Sequence, residues 1–138
     1  MTRSPVVVVG VDGSPGSKSA IRWAVEQATL TGATLLAVSS WRWPNYITRV
    51  PPGIDLDKDT KRTLDDMLDQ VFSGSEDVTV TRHVVEGPPG PVLVAQSHDA
   101  SLLVVGAQGR GVFKGMLLGS VAEYCVRHGT CPVVVVRP

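Results

Sequence analysis

The sequence has no excess of one charge: 13 Lys and Arg stand against 13 Asp and Glu in 138 residues, with the two signs interspersed. A nucleic-acid partner needs a basic patch to neutralise a phosphate backbone, so no such partner is expected. Long hydrophobic runs are also missing. The apolar run at residues 6–9 is interrupted by Gly10 and Asp12, too soon for a membrane span or the core of a secretory signal. No membrane partner is expected, and the expected location is the cytoplasm. Cysteine is scarce, with only Cys125 and Cys131, six apart, and His128 between them. A Cys-x2-His-x2-Cys site would offer three ligands where structural zinc takes four, so reduced core thiols are the expectation. Histidine is scarce too. His83, His98 and His128 fall on different parts of the chain, and Ser14, Ser39 and Ser40 have no evident base beside them. No catalytic constellation is complete, so any hydrolysis should be slow.

What the chain does contain is β-branched residues in short blocks, separated by helical patterns. At this length one domain, residues 1–138, can bury roughly 70% of its unfolded surface. Residues 6–11 read as a strand buried on both faces, and "DGSPGSKS" follows with turn residues, Ser14 as a helix cap and Pro15 at the first helical position. Ile21, Ala24, Val25 and Ala28 recur at helical spacing up to Gly32. A second strand spans residues 33–40. Prolines at 44, 51 and 52 then exclude regular structure and leave a long loop, in which Trp41 could cover a ligand and Trp43 should pack against sheet or helices. Leu64, Met67, Leu68, Val71 and Phe72 form an apolar helical stripe that ends before Gly74. Residues 77–86 alternate as a strand near a sheet edge would, "GPPGP" breaks the chain, and a short helix is expected from Val92 to about His98. "ASLLVVG", "SVAEYCVRHG" and "VVVV" complete the series as strand, helix and strand.

Five strands alternating with four helices give an α/β fold: an open, mostly parallel sheet with helices on both faces. Ligands of such sheets sit beyond the carboxyl ends of the strands, where strand order reverses. Two stretches have that address. One is residues 10–14 after the first strand, with Gly10 and Asp12. The other is residues 106–120, "GAQGRGVFKGMLLGS", with glycines at 106, 109, 111, 115 and 119. Clustered glycines let backbone N–H groups converge on one point. A helix starting at Gly119 or Ser120 adds unpaired N–H groups and a positive dipole end, which together suit phosphate. Arg110 and Lys114 lie inside the loop and could neutralise phosphates, although lone basic residues on loops are commonly just solvated. Asp12 has a plain alternative as an Asx-turn residue.

Known phosphate loops do not match the spelling. A Walker A loop would end in Gly-Lys-Ser/Thr, but Gly115 precedes Met116 and Gly119 precedes Ser120; G-x-G-x-x-G fails because position 114 is Lys. The spacing present is Gly106, two residues, Gly109, nine residues, Gly119, Ser120. That G-x2-G-x9-G-[S/T] pattern resembles the nucleotide-binding signature of the universal stress protein family. "VVGVDGS", "AIRWAVEQA", "LLVVGAQGRG" and "GSVAEYCVRHGTCPVVVV" extend the resemblance along the whole chain.

The resemblance implies a single-domain, Rossmann-like (adenine nucleotide alpha hydrolase-like) fold with five parallel strands in the order 3-2-1-4-5. It also implies a homodimer through the last strand, Val133–Val136. It assigns Asp12 to the ribose or adenine side, the Val38 backbone to adenine, Gly106 and Gly109 to the phosphates, and Gly119, Ser120 and Val121 to the phosphate tail. Gly106→Ala is accordingly expected to abolish binding and leave the fold intact. Ala122 departs from the pattern, standing where many ATP-binding members carry Ser or Thr. The implied ligand is ATP, with AMP or cyclic AMP as alternatives, and Mg or Mn is a candidate companion of the phosphates. The implied role is a stress-response sensor or regulator, a nucleotide-free interaction dimer being the other reading.

Overall fold

The computed structural model describes residues 4–74, 76–109 and 118–138. Its elements alternate from end to end: β1 (Val6–Gly10), α1 (Pro15–Thr31), β2 (Thr34–Trp41), α2 (Leu56–Val71), β3 (Val80–Glu86), α3 (Pro89–Gln96), β4 (Leu102–Gly106), α4 (Ser120–His128) and β5 (Val133–Val136). The strands form one sheet in the order β3-β2-β1-β4-β5, and every pairing is parallel. Val8 and Val9 of β1 are fully buried because helices cover both faces of the centre. On one face Ala20, Ile21, Ala24 and Ala28 of α1 pack with Leu64, Met67 and Leu68 of α2. On the other, Val92 and Leu93 of α3 pack with Ala122 and Cys125 of α4. Each leucine buried here contributes about 1.5–3 kcal/mol. No helix among the described residues is long and apolar enough to cross a membrane.

Local signals account for the element ends. Ser14 caps α1, its hydroxyl accepting from the Ser17 N–H at 3.2 Å, and Pro15 stands in the first turn, where a missing N–H costs nothing. Gly32 closes α1 in the left-handed region at φ 70°. Differences from the sequence reading lie in the second half of the chain. "GPPGP" does not break before α3 but supplies its first turn from Pro89, the Val92 N–H donating to the Pro88 carbonyl at 3.0 Å. Prolines are tolerated there for the same reason as Pro15. β3 begins at Val80 rather than 77, and α2 reaches back to Leu56, ahead of its apolar stripe. Trp43 belongs to neither core cluster and is half-buried in the segment 42–55, which contains no helix or strand.

Two features of the sheet shape its carboxyl edge. First, β1 ends at Gly10 opposite Val38, while β2 runs on through Ser39, Ser40 and Trp41, paired with Val84, Val85 and Glu86 of β3. The sheet therefore has a step, with β1 low and β2 and β3 high. Second, α1 begins in backbone-to-backbone contact with the end of β4. A Cβ on Gly106 would lie 2.8 Å from the carbonyl carbon and oxygen of Gly16, and one on Gly16 would overlap the Gln108 carbonyl oxygen. The expectation that Gly106 meets ligand with its bare Cα, and that Gly106→Ala would spare the fold, is thus corrected: its missing side chain makes room for α1.

A Gly→Ala change inside a helix ordinarily stabilises by about 1 kcal/mol. At Gly16 the sign should invert, with about 1–3 kcal/mol lost to overpacking against immovable backbone. Gly10→Ala should cost less, because its Cβ would meet only the tip of Leu93, 2.8 Å away and able to turn. Urea denaturation of the two variants checks this, and a Gly16→Ala protein as stable as the parent would contradict it.

Candidate functional site

The step and the glycine contact together leave a cleft of about 630 Å³ along the carboxyl ends of the strands. It joins the two stretches singled out from the sequence. Gly10, Asp12, Val38, Gly106, Gly109, Gly119, Ser120 and Val121 all line it. Arg110, with Lys114 and the rest of residues 110–117, lies outside the described residues.

At one end is the start of α4. Its N-cap is Gly119, which has no side chain to satisfy the first turn, and the Gly119 N–H is itself tied to the Ala107 carbonyl at 2.7 Å. That bond closes the base of the glycine loop and fixes where the helix begins. The first N–H groups of a helix have no intrahelical acceptor, so Ser120, Val121 and Ala122 present donors and the positive end of the dipole here. Ala122 is buried among the apolar residues of α3 and α4 and offers no hydroxyl.

In the middle is Asp12. Its Oδ1 accepts from the Ser14 N–H at 2.9 Å and from the Ser14 hydroxyl, so it is an Asx-turn residue and a cleft residue at once. The turn needs φ 82° at Gly13, which glycine adopts without strain. Asp12 also lies against the glycine loop, since a Cβ on Gly109 would overlap its Oδ2. The expectation that Ser14 has no base beside it is corrected here: a carboxylate takes its proton. The same hydroxyl caps α1, however, and is held in place by that bond. Val38 reaches the cleft with a carbonyl that already accepts from the Val11 N–H at 2.9 Å and retains a second lone pair.

The far end was missed by the sequence reading except for Trp41. Leu56, Asp59, Thr60 and Thr63 of α2 line it together with Ser39, Ser40, Arg42, Gly87 and Pro89. Positions 56, 59, 60 and 63 share one helical face by the i, i+3, i+4, i+7 rule. That face continues the stripe of Leu64, Met67 and Leu68, but with polar residues where the helix overhangs the step. A polar continuation of a buried stripe was the signal available.

No histidine lines the cleft. His83 Nδ1 is 3.0 Å from Gln96 Oε1, His98 Nδ1 is 3.1 Å from Thr130 Oγ1, and the His128 ring lies against Tyr124 with centroids 4.4 Å apart. Both cysteines are free thiols, and burial pushes Cys125 up to about 11, as for a thiol that packs rather than reacts. Among the described residues no group of three or more His, Cys, Asp or Glu side chains could hold a metal ion.

Comparison with known proteins agrees with this geometry. The model of the universal stress protein family matches residues 5–137. A universal stress protein of Mycolicibacterium smegmatis is 37% identical over 135 residues, covering 96% of this chain and 45% of that protein. One from Mycobacterium tuberculosis is 36% identical over 135 residues, covering 95% of this chain and 44% of its own length. The chain thus spans less than half the length of these curated relatives. Among solved structures, a universal stress protein in complex with cAMP has a TM-score of 0.74 at 28% identity, covering 99% of this chain and 98% of that one. With the match running over nearly the whole sequence and the same sheet underneath, the chain belongs to the universal stress protein family.

Proposed function

We propose that the cleft binds an adenine nucleotide, ATP foremost, and that the protein acts as a nucleotide-dependent stress-response sensor or regulator in the cytoplasm. The observation that carries the reading is the one cleft connecting the α4 N-terminus to Asp12 across the ends of β4 and β1. Phosphates suit the donor end, where Gly109, Gly119, Ser120 and Val121 supply backbone and the Arg110 side chain is the candidate counter-charge. A ribose suits Asp12, whose carboxylate accepts from hydroxyls. The base then falls beside Gly10, Val38 and the β2 overhang. The relative crystallised with cAMP supports the class of ligand and makes cyclic AMP, with AMP, a competitor to ATP. Mg or Mn would take most of its ligands from the phosphates, with Asp12 the nearest protein carboxylate to them.

Regulation rather than rapid turnover is favoured by the wiring of the candidate nucleophile. Ser14 is held as a helix cap and no histidine is at hand to activate water. A homodimer is proposed through β5. The carbonyls of Pro132 and Val136 bond to β4, so by alternation Val133 and Val135 turn their N–H and C=O groups outward along an apolar sheet edge.

Saturating ATP at 100 times its dissociation constant should stabilise the fold by about 2.7 kcal/mol and raise Tm by several degrees. Thermal shifts with ATP, AMP and cyclic AMP rank the three ligands, and no response to any of them would refute the reading. Asp12→Asn keeps an acceptor for the Ser14 N–H but removes the charge. Calorimetry should show ATP affinity reduced about tenfold at nearly unchanged Tm, the scale of one charge-assisted hydrogen bond; full affinity would remove Asp12 from the site. Val135→Pro deletes an outward N–H and none of the β4 ladder. Sedimentation should find the parent dimeric and this variant monomeric, and a dimeric variant would move the interface elsewhere.

A further inference from the structure

The far end of the cleft carries a pattern in where hydroxyl protons point. Ser39, only 4% exposed, donates its hydroxyl proton to the Val11 carbonyl at 2.7 Å. Thr63 donates to the Asp59 carbonyl at 3.1 Å. A carbonyl can only accept, so the single proton of each hydroxyl is engaged and only oxygen lone pairs remain for a ligand. The two share one wall. Side chains alternate along β2, so Ser39 points to the same face as Leu35 and Ala37, which pack with Leu64, Met67 and Leu68 of α2, and both hydroxyls line the cleft. Asp59, also acceptor-only as a carboxylate, stands at the rim of that wall. Ser40 and Thr60 have hydroxyls that can turn either way, and the Arg42 guanidinium is exposed at the mouth. The cleft is therefore polarised, with donors at the α4 start and fixed acceptors at the β2–α2 wall.

We infer that Ser39 and Thr63 form a base-reading subsite, and that they select nucleotides whose base offers an amino group at its edge. The inference rests on the nucleotide reading and assigns its specificity. The phosphates are drawn to the α4 end and Asp12 takes the sugar, so the base is what reaches the β2–α2 wall. The 6-amino group of adenine is a donor matched to fixed acceptors. A base with hydrogen at that position leaves those acceptors unpaired, and unpaired buried acceptors carry a cost that discriminates.

The test compares ATP with purine riboside 5′-triphosphate, which has hydrogen in place of the 6-amino group and is otherwise the same. Binding of each is measured by calorimetry to the parent, Thr63→Val and Thr63→Ser. Valine preserves the shape, and the bond it removes is a local one within α2, so folding should be spared. The parent should favour ATP. Thr63→Val should bind ATP about fivefold more weakly, the factor expected of one hydrogen bond, with its affinity for purine riboside triphosphate unchanged. Thr63→Ser should keep the parent's preference. Equal affinity of the parent for both nucleotides, or equal weakening of both by Thr63→Val, overturns the subsite and leaves the nucleotide reading standing. A parent that binds neither overturns both.

Discussion

The cleft depends on the absence of two side chains. Gly16 in the first turn of α1 and Gly106 at the end of β4 touch through their backbones, and Gly16 also meets the Gln108 carbonyl. This contact draws the β1–α1 turn, with Asp12, against the loop that leaves β4. With the β4 side of the site fixed to the β1 side, the position of α4 follows, because the Gly119 N–H is anchored on Ala107 and Ala107 donates to Val136 of β5. A single methyl at either glycine would separate the carboxylate from the helix start. Backbone packing of this kind tolerates no adjustment, unlike the Gly10 and Leu93 contact, where a leucine tip can turn aside.

Given that contact, the chemistry of the cleft comes from hydrogen bonds already made within the chain. The Ser14, Ser17, Ser39 and Thr63 hydroxyls each donate to the protein itself, leaving acceptors for anything bound. The start of α4 has the opposite character, donors without acceptors. A ligand that is anionic at one end and bears donors at the other fits both without leaving buried groups unpaired. The step at the β2 overhang gives such a molecule its length, and the α2 face gives it a wall.

Much of this was legible in the sequence where a local rule is strong. β-branched blocks identified the buried strands, Ser14 with Pro15 and Gly32 bounded α1, and the spacing of Gly106, Gly109, Gly119 and Ser120 pointed to the carboxyl edge. Strand order came from the family resemblance, since periodicity alone does not fix which strand lies beside which. Gly106 was noticed for the wrong reason, because a glycine that admits a ligand and one that admits a helix look alike in one dimension. Gly16 was not noticed at all. Thr60 and Thr63 passed as surface polar residues because the β2 overhang, which makes their face a wall, arises from register between distant strands. The first turn of α3 was misjudged because prolines were counted as breakers without regard to their place at a helix start.

The account's central claim is the direction in which a nucleotide lies across this edge. A crystal structure of the ATP complex tests it most directly. The claim predicts phosphate oxygens within about 2.7–3.2 Å of the Ser120 or Val121 N–H, the ribose at Asp12 and the base beside Val38 and Ser39. A nucleotide lying the other way round, or bound outside the cleft, would contradict it.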